Sequence, residues 1–302
     1  MASLNVDVVE GRIAVPGGEV WYRKMGSGGV PLVIVHGGPG FPCDILFDAF
    51  EPLAAEREVV WYDQLGVGNS DPIEDPALLT VERFLDELGA VIAGLGLSRP
   101  HVYGHSWGAM LGLQYAAERA PDWTSLVCAS GMASIPRFCA EVRELMAALP
   151  GDVLERTYGR ELAGTTDDPD YMVALDEFMR AHTLRNPNPP VAMDWSRASL
   201  ITFKTMIGHG DHHVSGTLSE WDIFDRLERI ELPTLVLGGE HDESVPAHLA
   251  DIASRIPDAE HVTQLGASHI AYLEEEPIRR EYAAIVRRFL SRVEGEARGG
   301  RG

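Results

Sequence analysis

The chain has 302 residues, 45% of them apolar and 24% charged, a balance that fits a globular protein and excludes a disordered or fibrous one. Against 25 basic residues stand 46 acidic ones; the resulting charge of −21 repels phosphate backbones, so no nucleic-acid partner is expected. No run reaches the ~18 apolar residues of a membrane span, and no membrane association is expected.

The first segment, Arg12–Val15, Pro16-Gly-Gly and Glu19–Arg23, reads as a β-hairpin. Apolar, β-branched runs follow at 31–35, 59–62, 101–103, 125–129 and 234–238, with a weaker one at 260–265. Such runs are the kind buried in parallel sheets. Helical periodicity separates most of them, at 79–95, 109–119, 247–255 and 278–293. Alternation of this sort predicts an α/β protein with a mostly parallel, doubly wound sheet.

Between 132 and 230 the alternation gives way to helices broken by prolines, most visibly at Asn186-Pro-Asn-Pro-Pro. The simplest placement is a helical cap over the carboxyl edge of the sheet, where open α/β sheets bind ligands. Residues 1–131 and 231–295 would then form one core, with 132–230 the cap. The glycine-rich 296–302 is expected to fray. The N-terminus lacks the basic and apolar regions of a secretory signal. Cys43, Cys128 and Cys139, odd in number and irregularly spaced, read as reduced thiols, and a cytoplasmic location is expected.

Gly104-His-Ser-Trp-Gly108 lies between a strand-like and a helix-like run. This is the context of a nucleophile elbow, in which a serine hydroxyl is lifted clear of the sheet on a tight turn. Ser106 is therefore the candidate nucleophile. A serine needs an imidazole to take its proton, and the imidazole needs an acid to set its tautomer. In elbow-type sheets the acid and histidine follow the serine in chain order, at the ends of later strands. Asp242, after 234–238, and His269, after the weaker strand, meet that requirement. Rivals are Glu240, Glu243 and the remainder of the 11 histidines.

His36-Gly-Gly-Pro-Gly40 follows the strand at 31–35, and its glycines would bare backbone N–H groups for an oxyanion hole. The N–H of Gly38 is expected to pair there with that of Trp107. His209, Asp211, His212 and His213 lack the spacing of a zinc site, so neither metal nor cofactor is expected. Phe178, Trp195, Phe203 and Trp221 read mainly as cap core, with a pocket lining as the alternative.

His36-Gly-Gly-Pro-Gly, Asp63-Gln-Leu-Gly-Val-Gly-Asn-Ser70, Gly104-His-Ser-Trp-Gly-Ala-Met-Leu and Gly239-Glu-His-Asp-Glu-Ser-Val-Pro together resemble the proline iminopeptidase family of α/β-hydrolases. The resemblance runs from about residue 15 to 290. It implies an α/β-hydrolase fold and a serine aminopeptidase acting through an acyl-enzyme. The substrate it implies is a short peptide or aminoacyl amide with a free amino group, often on proline. By the same resemblance Glu243 and a carboxylate of the cap bind that amine. The loop Gly208–Thr217 matches the cap element, with Asp211 where a glutamate is usual. This shorter side chain leaves proline preference open. The Asp63 loop is expected to be a scaffold for the oxyanion side.

Two other readings stand beside it. One is an amide hydrolase of small-molecule metabolism that removes an aminoacyl group from an amine or lactam. The other is a hydrolase-like binding protein without turnover, against which the complete set of Ser106, Asp242 and His269 argues. Oligomeric state is left open by the sequence.

Overall fold

The computed structural model describes residues 7–191, 194–208, 210 and 213–299. Strands β1 (Val8–Val15), β2 (Gly18–Met25), β3 (Leu32–Val35), β4 (Val59–Tyr62), β5 (His101–His105), β6 (Ser125–Ala129), β7 (Thr234–Gly239) and β8 (Ala259–Gln264) form one sheet. Its eight strands run in the order β1-β2-β4-β3-β5-β6-β7-β8. The hairpin β1–β2 joins β4 antiparallel, and from β4 onward every neighbour is parallel.

Alternation within each central strand builds two cores, one on each face of the sheet. Val33, Val35, Val102 and Leu126 pack with Phe84, Leu88 and Leu111 on one side. Leu32, Ile34, Tyr103 and Val127 pack with Phe50, Tyr282 and Phe289 on the other. Both faces are covered, so these strands read as continuous apolar runs rather than alternating ones.

Helices Val81–Gly94, Trp107–Arg119, Pro246–Arg255 and Ile278–Gly299 occupy the predicted places with shifted ends. The last helix differs most, because it continues past 293 to Gly299. Arg292 reaches Glu296 one turn on at 3.1 Å, and Glu294 is drawn onto the body by Arg57 at 2.6 Å and His101 at 3.1 Å. These charge contacts carry the helix past its apolar face and offset the poor helix propensity of the glycines. Residues 300–302 lie outside the described residues. No described helix is long and apolar enough to cross a membrane.

Between β6 and β7 the chain forms helices Ile135–Ala148, Pro169–Phe178 and Leu200–Met206 with irregular links. The strands of chain entering and leaving this insertion are tied to each other. Ile223 N–H donates to Ala133 O at 2.8 Å and Ile135 N–H to Trp221 O at 2.9 Å. Phe178 is buried in the insertion, while Phe203 and Trp221 pack partly buried against the same core. The side chain of Trp195 lies outside the described residues.

Where β5 turns into helix Trp107–Arg119, backbone meets backbone. A Cβ on Gly104 would lie 2.3 Å from Gly108 O, and one on Gly108 would lie 2.2 Å from Val35 O. Neither neighbour is a side chain that can swing away, so glycine is required on both sides of Ser106. Gly108→Ala should therefore lower stability by about 2–3 kcal/mol, measured by urea unfolding, with the helix pushed off β3.

Candidate active site

Ser106 sits at the turn between β5 and its helix with φ 53° and ψ −117°. That is left-handed backbone for a residue with a Cβ, a strain of about 1–3 kcal/mol that the surroundings must hold. Its N–H donates to Ala129 O on the neighbouring strand at 2.9 Å, one of the restraints that holds it.

Asp242 and His269 leave the ends of β7 and β8. His269 Nδ1 donates to Asp242 Oδ1 at 2.7 Å, and both side chains are buried. Burial by itself would raise the Asp242 carboxyl pKa. The charge of His269 and the hydrogen bonds it accepts from His269 and Ser244 outweigh burial and hold it below its ordinary value. An ionised Asp242 fixes the proton on Nδ1 and leaves Nε2 to the cavity. The carbonyl of His269 accepts from Ser130 Oγ at 3.1 Å and from His105 Nε2 at 3.0 Å. Burial and the nearby His269 push His105 down to about 3, so it stays neutral beside the site.

The loop after β3 passes directly over the elbow. A Cβ on Gly37 would lie 3.2 Å from Ser106 Cβ, and Gly38 next to it has φ 123°. Among the described residues no acceptor takes the N–H of Gly38 or of Trp107. Gln64 braces this corner. Its N–H donates to His36 Nε2 at 2.9 Å, its Nε2 donates to His36 O at 3.1 Å, and its Oε1 accepts from the Trp107 indole at 2.9 Å. His36, lowered by burial, is a neutral acceptor. Asp63 receives the N–H groups of Cys43 and Asn69, each at 2.9 Å. The 63–70 loop thus braces the glycine loop and the helix start.

Ser106, His269, Gly38, Trp107 and Glu243 line one cavity of about 140 Å³, with Asp242 behind the histidine. Its other walls are mainly apolar, from Met110, Ile135, Phe138 and Ile207 among others. Phe178, Phe203 and Trp221 do not line it; Phe41, Trp107, Phe138 and Tyr272 do. Glu243 is held by the insertion: Thr183 Oγ1 donates to Oε2 at 2.7 Å, while Oε1 lies 3.5 Å from His269 Nε2. Asp211 lies outside the described residues, whereas Ile207 and Val214 on either side of its loop line the cavity.

Residues 30–276 match the alpha/beta hydrolase fold family. The proline iminopeptidase of Lactobacillus helveticus (strain DPC 4571) is 30% identical over 293 residues, covering 94% of this chain and 98% of that protein. The chain belongs to the proline iminopeptidase family of α/β-hydrolases. Among solved structures, the proline iminopeptidase of Mycobacterium smegmatis is 33% identical with a TM-score of 0.86, covering 96% of this chain and 100% of its own. VinJ is 34% identical with a TM-score of 0.86, covering 94% and 99%. The α/β-hydrolase fold and a hydrolytic activity follow.

Three cavity residues of this proline iminopeptidase homologue escaped sequence reasoning. Thr183 precedes the proline break, and nothing in its neighbours signals that it meets Glu243. Asp44 pairs with Arg197 of the insertion and reaches the cavity from the segment after the glycine loop. Asp194 is held below its ordinary pKa by two hydrogen bonds from Ser196, at 2.6 and 3.0 Å. With Glu243 these give the cavity three carboxylates, and no lysine or arginine lines it among the described residues. Nor do the described residues hold a cluster able to ligate a metal.

The buried His105 makes stability pH-dependent. In the unfolded chain it titrates near 6.5 and in the fold near 3, so unfolding takes up a proton between those values. Stability must fall as pH drops through that window. His105→Asn should remove about 1.4 kcal/mol per pH unit of that fall between pH 6 and 4, read from urea unfolding at several pH values.

Proposed function

We propose that the protein is a serine exopeptidase or aminoacyl-amide hydrolase that releases an N-terminal residue, proline or another small one, through an acyl-enzyme. The observation that carries this reading is the shared cavity: Ser106, an Asp242-oriented His269 and Glu243 line it together with apolar side chains, and no lysine or arginine lies among its described lining. An acidic, partly desolvated pocket suits the protonated amine of a free N-terminus. The apolar walls suit a small hydrophobic side chain or a pyrrolidine ring.

In the proposed cycle the substrate ammonium lies against Glu243, with Asp211 as the second carboxylate. Ser106 loses its proton to His269 Nε2 and attacks the carbonyl carbon. The oxyanion takes the N–H groups of Gly38 and Trp107, two donors without a competing acceptor. His269 then protonates the leaving amine, and water frees the acyl group by the same route. Asp242 stays ionised and stabilises the imidazolium at each step.

Ser106→Ala should lower kcat on aminoacyl-naphthylamides by at least about 10⁴-fold with an unchanged melting temperature. A fluorophosphonate should label the wild type and leave Ser106→Ala unlabelled. Labelling of the variant, or retained turnover, overturns the assignment. Glu243→Gln should reduce kcat/KM for prolyl- or alanyl-naphthylamide about 30-fold or more at pH 8, as a buried charge pair is lost. N-acetylated substrates should be refused by the wild type.

A further inference from the structure

Glu243 stands at an unusual place for a recognition group. Its Oε1 is 3.5 Å from Nε2 of His269, the nitrogen that must accept the serine proton. The other oxygen is held by Thr183 at 2.7 Å, so the carboxylate cannot swing aside without losing that bond. Both side chains are shielded, with 6% and 15% of their surface exposed, so water screens the pair weakly.

A neutral His269 carries its proton on Nδ1, toward Asp242, and turns a lone pair on Nε2 toward the Glu243 oxygen. Lone pair and carboxylate repel. Protonating Nε2 converts this repulsion into attraction, flanked by a carboxylate at each ring nitrogen. Two other histidines lie against His269 or its loop. His105, with its ring centroid 4.9 Å away, is neutral. His182 of the insertion spends Nδ1 on His241 O and its carbonyl on the N–H of His269. Asp44 and Asp194 add further negative charge to the cavity, Asp44 partly offset by Arg197.

We propose that Glu243 is a charge gate on the catalytic base. In the empty site it holds His269 as imidazolium and so keeps Ser106 unreactive. An arriving ammonium takes over Glu243, the Nε2 proton passes to water, and the freed lone pair becomes the base. In this step the Nε2–H bond breaks and the water that takes the proton gains an O–H bond; no bond to carbon changes. The amine is then trigger as well as handle, and an acyl compound without one meets a disarmed serine. This inference rests on the amine-recognition reading above.

The test uses the full chain with 13Cε1-labelled histidine, the His269 signal being assigned by its loss in His269→Gln. In substrate-free protein, Glu243→Gln should titrate at least about one pH unit below the wild type. Thr183→Val, which loosens the carboxylate but keeps it, should fall between them. Propylammonium should lower the wild-type value and leave that of Glu243→Gln in place. Identical titration of wild type and Glu243→Gln overturns the gate, even if the variant loses its amine substrates. A difference between them that propylammonium does not touch overturns amine recognition and the trigger with it. Hydrolysis of p-nitrophenyl butyrate gives a second reading. Glu243→Gln should outpace the wild type about tenfold at pH 6, with the ratio shrinking as pH rises; a variant slower at every pH overturns the proposal.

Discussion

The hydrogen bond between Asp242 and His269 is the constraint around which the candidate site is arranged. A carboxylate so deeply buried is tolerable only if donors surround it, and those donors come from the turn 239–244 and from the imidazole. The turn exists because β7 ends there, and the imidazole arrives because β8 pairs in parallel with β7 along its full length. Sheet register therefore sets the distance between acid and histidine. The glycines around Ser106 do the same for the serine, since they let the helix start press onto the loop after β3.

The insertion acts on the site as well as covering it. Residues 182–186 form a strap across the ends of β7 and β8. His182 and Thr183 carbonyls take the N–H groups of His269 and Ile270, and Asn186 donates to Leu273 O at 2.9 Å. The histidine loop is thus gripped from below by Ser130 and His105 and from above by the strap. Thr183 lies on that strap and also holds Glu243. Whatever moves this segment moves the imidazole and the carboxylate together, which links cap position to base chemistry through ordinary hydrogen bonds.

Most of the chain's excess negative charge is spread over its surface, where it chiefly keeps molecules apart in solution. Inside the cavity the same bias has a local meaning. Glu243 there sits beside apolar walls, and weak screening lets it act on a cation over several ångströms. On the reading proposed above, recognition of an amine and control of a base are then parts of one electrostatic problem.

The strands and most helices were legible in the chain itself, because buried parallel strands must be apolar on both faces and amphipathic helices must repeat every 3.6 residues. Ser106, Asp242 and His269 were legible as candidates for a related reason: each lies a short way past a strand end, so its neighbours announce it. The last helix runs on to Gly299, beyond its apolar periodicity, where Glu294 and Glu296 are held by charges distant in sequence or one turn away. Thr183, Asp44 and Asp194 gave no local sign, and Asp211 lies outside the described residues. Backbone periodicity and strand-end motifs are local properties of a sequence, and so they determined the fold class and the candidate chemistry. The partner of Glu243, the shape of the cavity and the grip on His269 depend on where an irregular insertion folds back, and only tertiary packing decides that.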